Sequence, residues 1–430
     1  MIGPSRVRSV FAAVFVAACS TSLVSPTLGL VVSALAAGVF VLLILLIAGQ
    51  RPSLAVSTHT AAPQSTESKQ EVSSLSIKVL AIAIGLRLVI TAVVNATPLW
   101  ASFGPDALAW SAWGRMLSAN WWKGLNGTLQ TPVNPHVISN AISHQLFGVS
   151  RIPVSFFNSI LGILLSLIIF YLGRTLYNDR IARRAFLLTL FFPSLMLWQS
   201  QNLKDVWAQV ATAGLALAVA RFPRTRTPGF IIIGLICFYI ATWTRPYLAV
   251  ILLAAVMISV TAVSIRRLPA TIIVVLGSAV GGKVAGLDQK LSTETLVTID
   301  QARKGLSYGG SAYGADADTT TIWGALSYFP EGMVRFLFAP FPWEIDSWLQ
   351  ALAFPESILF LFFSAQALRH VIMGQVPLGR KMVPIAFFAT IASSYALASG
   401  NEGTAFRHRA QITPFVLLMA SAYQKRPIRR

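Results

Sequence analysis

Charge is what this sequence has least of. Only 11% of its 430 residues are Asp, Glu, Lys or Arg, and 55% are hydrophobic. Mean hydropathy is positive. A soluble domain cannot cover its surface with so little charge, so much of this chain faces lipid. Acids are scarcer still, 15 Asp and Glu against 34 Lys and Arg, leaving a net charge of +19. The basic residues fall in short clusters between apolar runs, which marks membrane topology and excludes a nucleic-acid-binding patch. There are two cysteines, Cys19 and Cys237, both inside apolar runs. Neither a disulfide framework nor a cysteine-based metal site is available.

What is present is a series of apolar segments, and the chain reads as an all-α polytopic membrane protein. Residues 9–24 suit a signal peptide or a first span, and Val16-Ala17-Ala18-Cys19 resembles a lipoprotein cleavage box. A second apolar run at 27–48 favours a hairpin, giving an amino-terminal transmembrane appendage over 1–49. Residues 50–76, rich in Ser, Thr, Pro, Gln and Ala, read as a disordered cytoplasmic linker in which His59 is a bystander. The main body, 77–430, contributes expected spans at 77–96, 152–172, 186–198, 206–220, 228–242, 248–264, 271–287, 349–367, 383–398 and 412–423. With the hairpin this makes about twelve, each near the ~20 residues a bilayer requires. Clusters such as Arg180, Arg183 and Arg184 or Arg266 and Arg267 alternate with ends that carry little charge, placing both termini in the cytoplasm of a multi-pass inner or plasma membrane protein.

Two long polar intervals interrupt the main body, both on the extracytoplasmic side: 97–151 and 288–345. The first holds Phe103-Gly104-Pro105-Asp106, then Trp110, Trp113, Leu117 and Trp121 on one helical face, a pattern for an interfacial helix. The turn cluster Thr131-Pro132-Val133-Asn134-Pro135-His136 precedes a second short amphipathic helix over 137–147. Asn126-Gly127-Thr128 matches a glycosylation sequon. The second interval holds a Gly/Ser/Tyr-rich segment at 306–314, then Asp316 and Asp318, then Phe338 to Glu344. Arg87 and Lys283 are the charges placed inside apolar segments. Arg87 has about 15 Å of helix on either side, and a charge at that depth costs about 2.5–3.5 kcal/mol, so it should face a partner or a wet cavity.

The extracytoplasmic ends gather Asp106, Lys204, Asp205, Arg245, Arg335, Glu344, Asp346, Glu402, Arg407, His408 and Arg409. Arginine forks hold phosphate oxygens, and a carboxylate accepts a hydroxyl proton. Arg407-His408-Arg409 breaks the positive-inside pattern, the strongest sign of function among the basic groups. Asp106 reads as a catalytic base or, in a duller role, as a helix cap. Lys204 and Asp205 read as donor-binding residues or as a local pair at a helix start. Asp316/Asp318 and Glu344/Asp346 have the spacing of metal-binding carboxylates, but two acids at such spacing read better as solvated loops, which leaves a divalent metal open.

Phe103-Gly104-Pro105-Asp106, Pro193-Ser194 through Gln201-Asn202-Leu203-Lys204-Asp205, Arg245-Pro246-Tyr247, Pro340-Phe341-Pro342-Trp343-Glu344 and Gly403 through Arg409 resemble segments of the GT-C superfamily of integral-membrane glycosyltransferases, especially those of bacterial surface polysaccharides. That superfamily includes the protein mannosyltransferases and the lipid A aminoarabinose transferase. The resemblance implies a polyprenyl-phosphate sugar donor, a glycan or lipid-linked acceptor outside the cytoplasm, inversion at the anomeric carbon, and Asp106 as the first-loop base. The chain departs from the mannosyltransferases in having Ala107, not Glu, after that Asp. A flippase or polymerase of lipid-linked oligosaccharides would gather the same outer arginines; a transporter would show two related halves, which this sequence lacks.

Overall fold

The computed structural model describes residues 66–125, 129, 133–261, 295–307, 311–374 and 376–423. The amino-terminal hairpin, His59, the sequon, Lys283 and the expected span at 271–287 lie outside these residues. Among the described residues the fold is all-helical, with one isolated antiparallel bridge between Ala312 and Asn401.

Five helices are long and apolar enough to cross a bilayer: Lys78–Ala96 of α1 (Thr66–Ala96), α6 (Ile152–Leu176), α9 (Asp205–Thr225), α14 (Trp348–Met373) and α15 (Leu378–Ala398). A sixth forms if α7 (Asp179–Phe191) and α8 (Pro193–Gln199) count as one span bent by 56°. Pro193 opens α8, where its missing N–H costs least, and sets the break. α10 (Gly229–Thr244) and α11 (Leu248–Thr261) are apolar but shorter. The expected final span is a 9-residue helix, α17 (Thr413–Ser421), every residue of which is buried in protein. At about 14 Å it is far shorter than the ~30 Å hydrocarbon core, so among the described residues five or six helices are long and apolar enough to span where the sequence implied more.

The chain divides into two compact units. One contains the described residues up to Leu164 together with Gln199–Leu203; the other contains Leu165–Trp198 and the chain from Lys204 onward.

In the first unit, α2 (Leu99–Phe103), α3 (Ala107–Ala119), α4 (Trp121–Leu125) and α5 (Pro135–Phe147) form the polar interval after α1. The two expected amphipathic helices are α3 and α5. Asn134 caps α5, its Oδ1 accepting from the N–H groups of His136 and Val137 at 3.0 Å, and Pro135 follows at the first helical position. α3 crosses α5 at Gly114, where a Cβ would come within 2.3 Å of Asn140 Cβ. Residues 200–203 are buried and not helical, so their carbonyls need donors from elsewhere. Asn158 Nδ2 donates to Gln201 O and Leu203 O at 2.7 and 2.8 Å, and Thr91 Oγ1 to Ser200 O at 3.3 Å. Asn202 and Asn140 exchange amide hydrogen bonds at 2.9 and 3.0 Å. Arg87, wholly buried, donates to Gln199 Oε1 at 2.9 Å, the partner its depth required.

In the second unit α9 and α10 pack as a hairpin turned by Arg226, a left-handed residue with φ of 55°, and Pro228. α15 contacts α11, α13 (Ile322–Phe338) and α17, while α17 also packs on α7 and α14. Residues 311–313 are tied to 400–402 through Tyr313 N–H to Gly400 O (2.9 Å) and Glu402 N–H to Ser311 O (3.0 Å). Below that tie, α12 (Thr295–Leu306) buries Asp300 and Arg303 against each other, and Asp300 Oδ1 also accepts from the Thr319 N–H and hydroxyl. Asp318 is exposed, and its Oδ1 accepts from Thr320 N–H and Oγ1 at 2.9 and 2.6 Å, so it makes a turn. Among the described residues no group of three or more His, Cys, Asp or Glu is placed to hold a metal.

The crossing at Gly114 carries a direct expectation. Gly114→Ala forces its methyl into Asn140 and the α5 backbone, lowering stability by about 1–3 kcal/mol. A depressed thermal midpoint in detergent checks it; an unchanged midpoint contradicts the close packing of α3 on α5.

Candidate functional site: a carboxylate buried between two arginines

Asp205 is the first residue of α9 and is 1% exposed. The positive end of a helix dipole favours an acid there, but burial of a bare carboxylate is prohibitive without cations. Two supply them. Arg245 leaves the C-terminus of α10 in an extended conformation (φ −144°, ψ 96°), which turns its side chain out of the helix, and its Nη2 meets Asp205 Oδ1. Arg407, on the short helix α16 (Glu402–Arg409), places Nε and Nη2 at 2.8 and 2.7 Å from Oδ2. The Asp205 and Arg245 side chains are 2% and 4% exposed and Arg407 is 15% exposed, so Arg407 forms the open edge of the group.

Arg245 Nη1 reaches the Tyr247 hydroxyl at 2.6 Å, the Tyr395 hydroxyl at 2.9 Å and His408 Nε2 at 2.9 Å. Tyr395 in turn donates to Gln411 Oε1 at 2.7 Å. Its ring stacks on His408 with centroids 4.4 Å apart, and on Phe336 at 5.6 Å. Burial pushes the His408 pKa well below the usual histidine value, and the Arg245, Arg407 and Lys204 charges act in the same direction while Asp205 opposes them. His408 is therefore neutral. Three buried nitrogens of this group have no acceptor: Arg245 Nε, His408 Nδ1 and Gln411 Nε2. The group holds unspent donors around two cations, which suits an oxyanion.

Lys204 lies close enough for its charge to act on His408, and the remaining expected site residues fall elsewhere. Lys204 precedes α9 in a helical conformation and makes no side-chain cap hydrogen bond. Glu344 belongs to a separate ion-pair group: Arg335 Nη1 lies 3.2 and 3.3 Å from its two oxygens, and Arg335 Nε contacts Glu331 at 2.9 Å. Glu402 joins that group, accepting from Gln350 at 2.9 Å; burial raises its pKa, and neighbouring Glu344 adds to the shift. Arg409 directs its guanidinium at the carbonyls of Leu337 (2.6 Å) and Ala339 (2.7 Å) and lies over the rings of Phe360 and Phe406. It anchors the end of α13. Asp106, in the first unit, is exposed at the start of α3 and makes no side-chain cap hydrogen bond.

Tyr395 and Gln411 are members that the sequence reading missed. Each is a polar residue in or beside an apolar run, Tyr395 in 383–398 and Gln411 directly before 412–423. That is the signal that could have found them.

The family model for dolichyl-phosphate-mannose-protein mannosyltransferases matches residues 130–282, a stretch that includes Asp205 and Arg245 but neither Asp106 nor Arg407. That match bears out the GT-C resemblance. No curated protein matches the chain significantly. Among solved structures, the apo oligosaccharyltransferase of Archaeoglobus fulgidus is similar with a TM-score of 0.41 at 15% identity, over 79% of this chain and 50% of that one. This chain thus spans about half the length of that protein.

Asp205→Ala leaves Arg245 buried and uncompensated, and should cost about 3–5 kcal/mol. Asp179→Ala, which removes an exposed pair with Arg174, should cost at most about 1 kcal/mol. Thermal midpoints of the two variants in the same detergent check the contrast; equal midpoints contradict the buried cluster.

Proposed function

We propose that this protein transfers a sugar from a polyprenyl-phosphate donor to a glycan or lipid-linked acceptor at the extracytoplasmic face, with inversion. The observation that carries the reading is the set of unspent N–H donors around Arg245 and Arg407 beside buried Asp205. A phosphate is all acceptor and anionic, and such a set suits it. Arg407, at the open edge, meets the phosphate first, with Lys204 contributing charge. Asp205 holds both guanidiniums in place before the donor arrives. Glu344 and Arg409 shape the surrounding loops.

In the reaction, the acceptor hydroxyl oxygen forms a bond to the anomeric carbon as the bond from that carbon to the phosphate oxygen breaks. The polyprenyl phosphate leaves with the electron pair, and the hydroxyl proton passes to Asp106. A phosphate leaving group is already a stabilised anion and needs no acid, unlike the alkoxide released in glycoside hydrolysis. One base and a cationic cradle therefore suffice. Asp106 is exposed at the start of α3, where an acceptor hydroxyl can reach it, which supports the base assignment.

Asp106→Asn in purified protein should lower sugar transfer by about 100-fold or more while donor binding is kept. The assay uses nanodiscs, a panel of polyprenyl-phosphate sugars and a cell-envelope glycan extract. Equal transfer by both proteins removes Asp106 from the chemistry. No transfer by wild type across the panel, with lipid-linked oligosaccharide bound, replaces this reading with a flippase or polymerase.

A further inference from the structure

We propose that His408 is a neutral, tautomer-locked hydrogen-bond donor to a phosphate oxygen of the lipid substrate, acting through Nδ1, and is neither the acid nor the base of the reaction. The inference rests on the donor reading above and adds the role and protonation state of one residue.

The lock follows from Arg245. A guanidinium has N–H groups and no acceptor, so any hydrogen bond it makes with an imidazole nitrogen requires that nitrogen to offer its lone pair. Arg245 Nη1 lies 2.9 Å from His408 Nε2. Nε2 is therefore bare, and the single proton of the neutral ring sits on Nδ1. The opposite tautomer would set two donors against each other. Tyr395, stacked on the imidazole face at 4.4 Å, resists rotation of the ring, which would exchange the two nitrogens. Arg245 is itself fixed at Nη2 by Asp205, so the chain of orientation runs from Asp205 through Arg245 to His408.

The consequence lies at the other nitrogen. Nδ1 is buried, carries the proton and has no acceptor. A buried donor left unpaired is costly, a cost recovered when a ligand oxygen arrives. A donor at Nδ1 calls for a ligand atom that accepts, and Arg245 Nε and Gln411 Nε2 are also buried without an acceptor in this group. A phosphate oxyanion meets that requirement. His408 cannot also serve as base, because its lone pair is held by Arg245.

The test compares binding of a short-chain polyprenyl phosphate to wild type, His408→Asn and His408→Gln in nanodiscs, with inorganic phosphate and the uncharged polyprenol as competitors. The Asn amide nitrogen falls near the Nδ1 position, whereas Gln reaches the Nε2 position and keeps only the Arg245 contact. The expected result is at least about a 10-fold weaker Kd for His408→Gln, which loses a hydrogen bond to a charged group, and a loss of about 3-fold or less for His408→Asn, which keeps it. Nitrogen-15 spectra of histidine-labelled wild type, with His408 assigned by its absence in His408→Asn, should show Nδ1 protonated and Nε2 bare; they need no functional variant. Equal Kd for His408→Gln and wild type, or a proton on Nε2, overturns this inference alone. Inorganic phosphate competing as strongly as the lipid overturns the lipid assignment. No binding by wild type overturns the donor reading and this inference with it.

Discussion

A carboxylate cannot be buried without cations, and around Asp205 that constraint organises the second unit. Its charge fixes where α9 begins, why α10 ends on an arginine in an extended conformation, and why α16 carries Arg407 on the face it does. Each guanidinium, once drawn in, has donors left over. Arg245 turns its Nη1 to two tyrosines and a histidine and leaves Nε without an acceptor. Remove the acid and the cations lose the charge that holds them; remove the cations and the acid cannot remain buried.

A related constraint governs the first unit. Backbone that leaves helical geometry inside a membrane protein must find its hydrogen bonds in side chains. Residues 200–203 do so through Asn158 and Thr91, both on helices that would otherwise read as plain apolar segments, while Asn140 holds the Asn202 side chain. Arg87 belongs to the same arrangement through Gln199. The polar residues of the apolar helices are thus the supports of an irregular stretch that leads directly into Lys204 and Asp205 in the sequence.

Much of this was legible in the sequence because hydropathy and turn chemistry are local signals. α3, α5, α6, α9, α14 and α15 lie close to where apolar periodicity and the Asn134-Pro135 signature placed them. The gathering of Asp205, Arg245, Arg407 and His408 could be anticipated from polar residues clustered at apolar ends. Their partition could not. Successive residues of a helix point about 100° apart. Arg407 and His408 therefore reach Asp205 and Arg245, while Arg409 turns to the carbonyls that end α13. Nor does composition distinguish a lipid-facing span from an apolar helix buried in protein, so residues 412–423 read as a span and fold as the wholly buried α17. Glu344 pairs with Arg335 through a loop whose path no local pattern encodes.

The central claim is that the Asp205–Arg245–Arg407 group, with His408, holds the phosphate of a lipid-linked donor. The most direct measurement is an electron cryo-microscopy map of the protein in nanodiscs with a polyprenyl phosphate bound. The account predicts phosphate density against Arg407 and within hydrogen-bonding distance of His408 Nδ1, with Asp205 still bridging the two arginines. Phosphate density held by other residues, with the group unliganded, would contradict it.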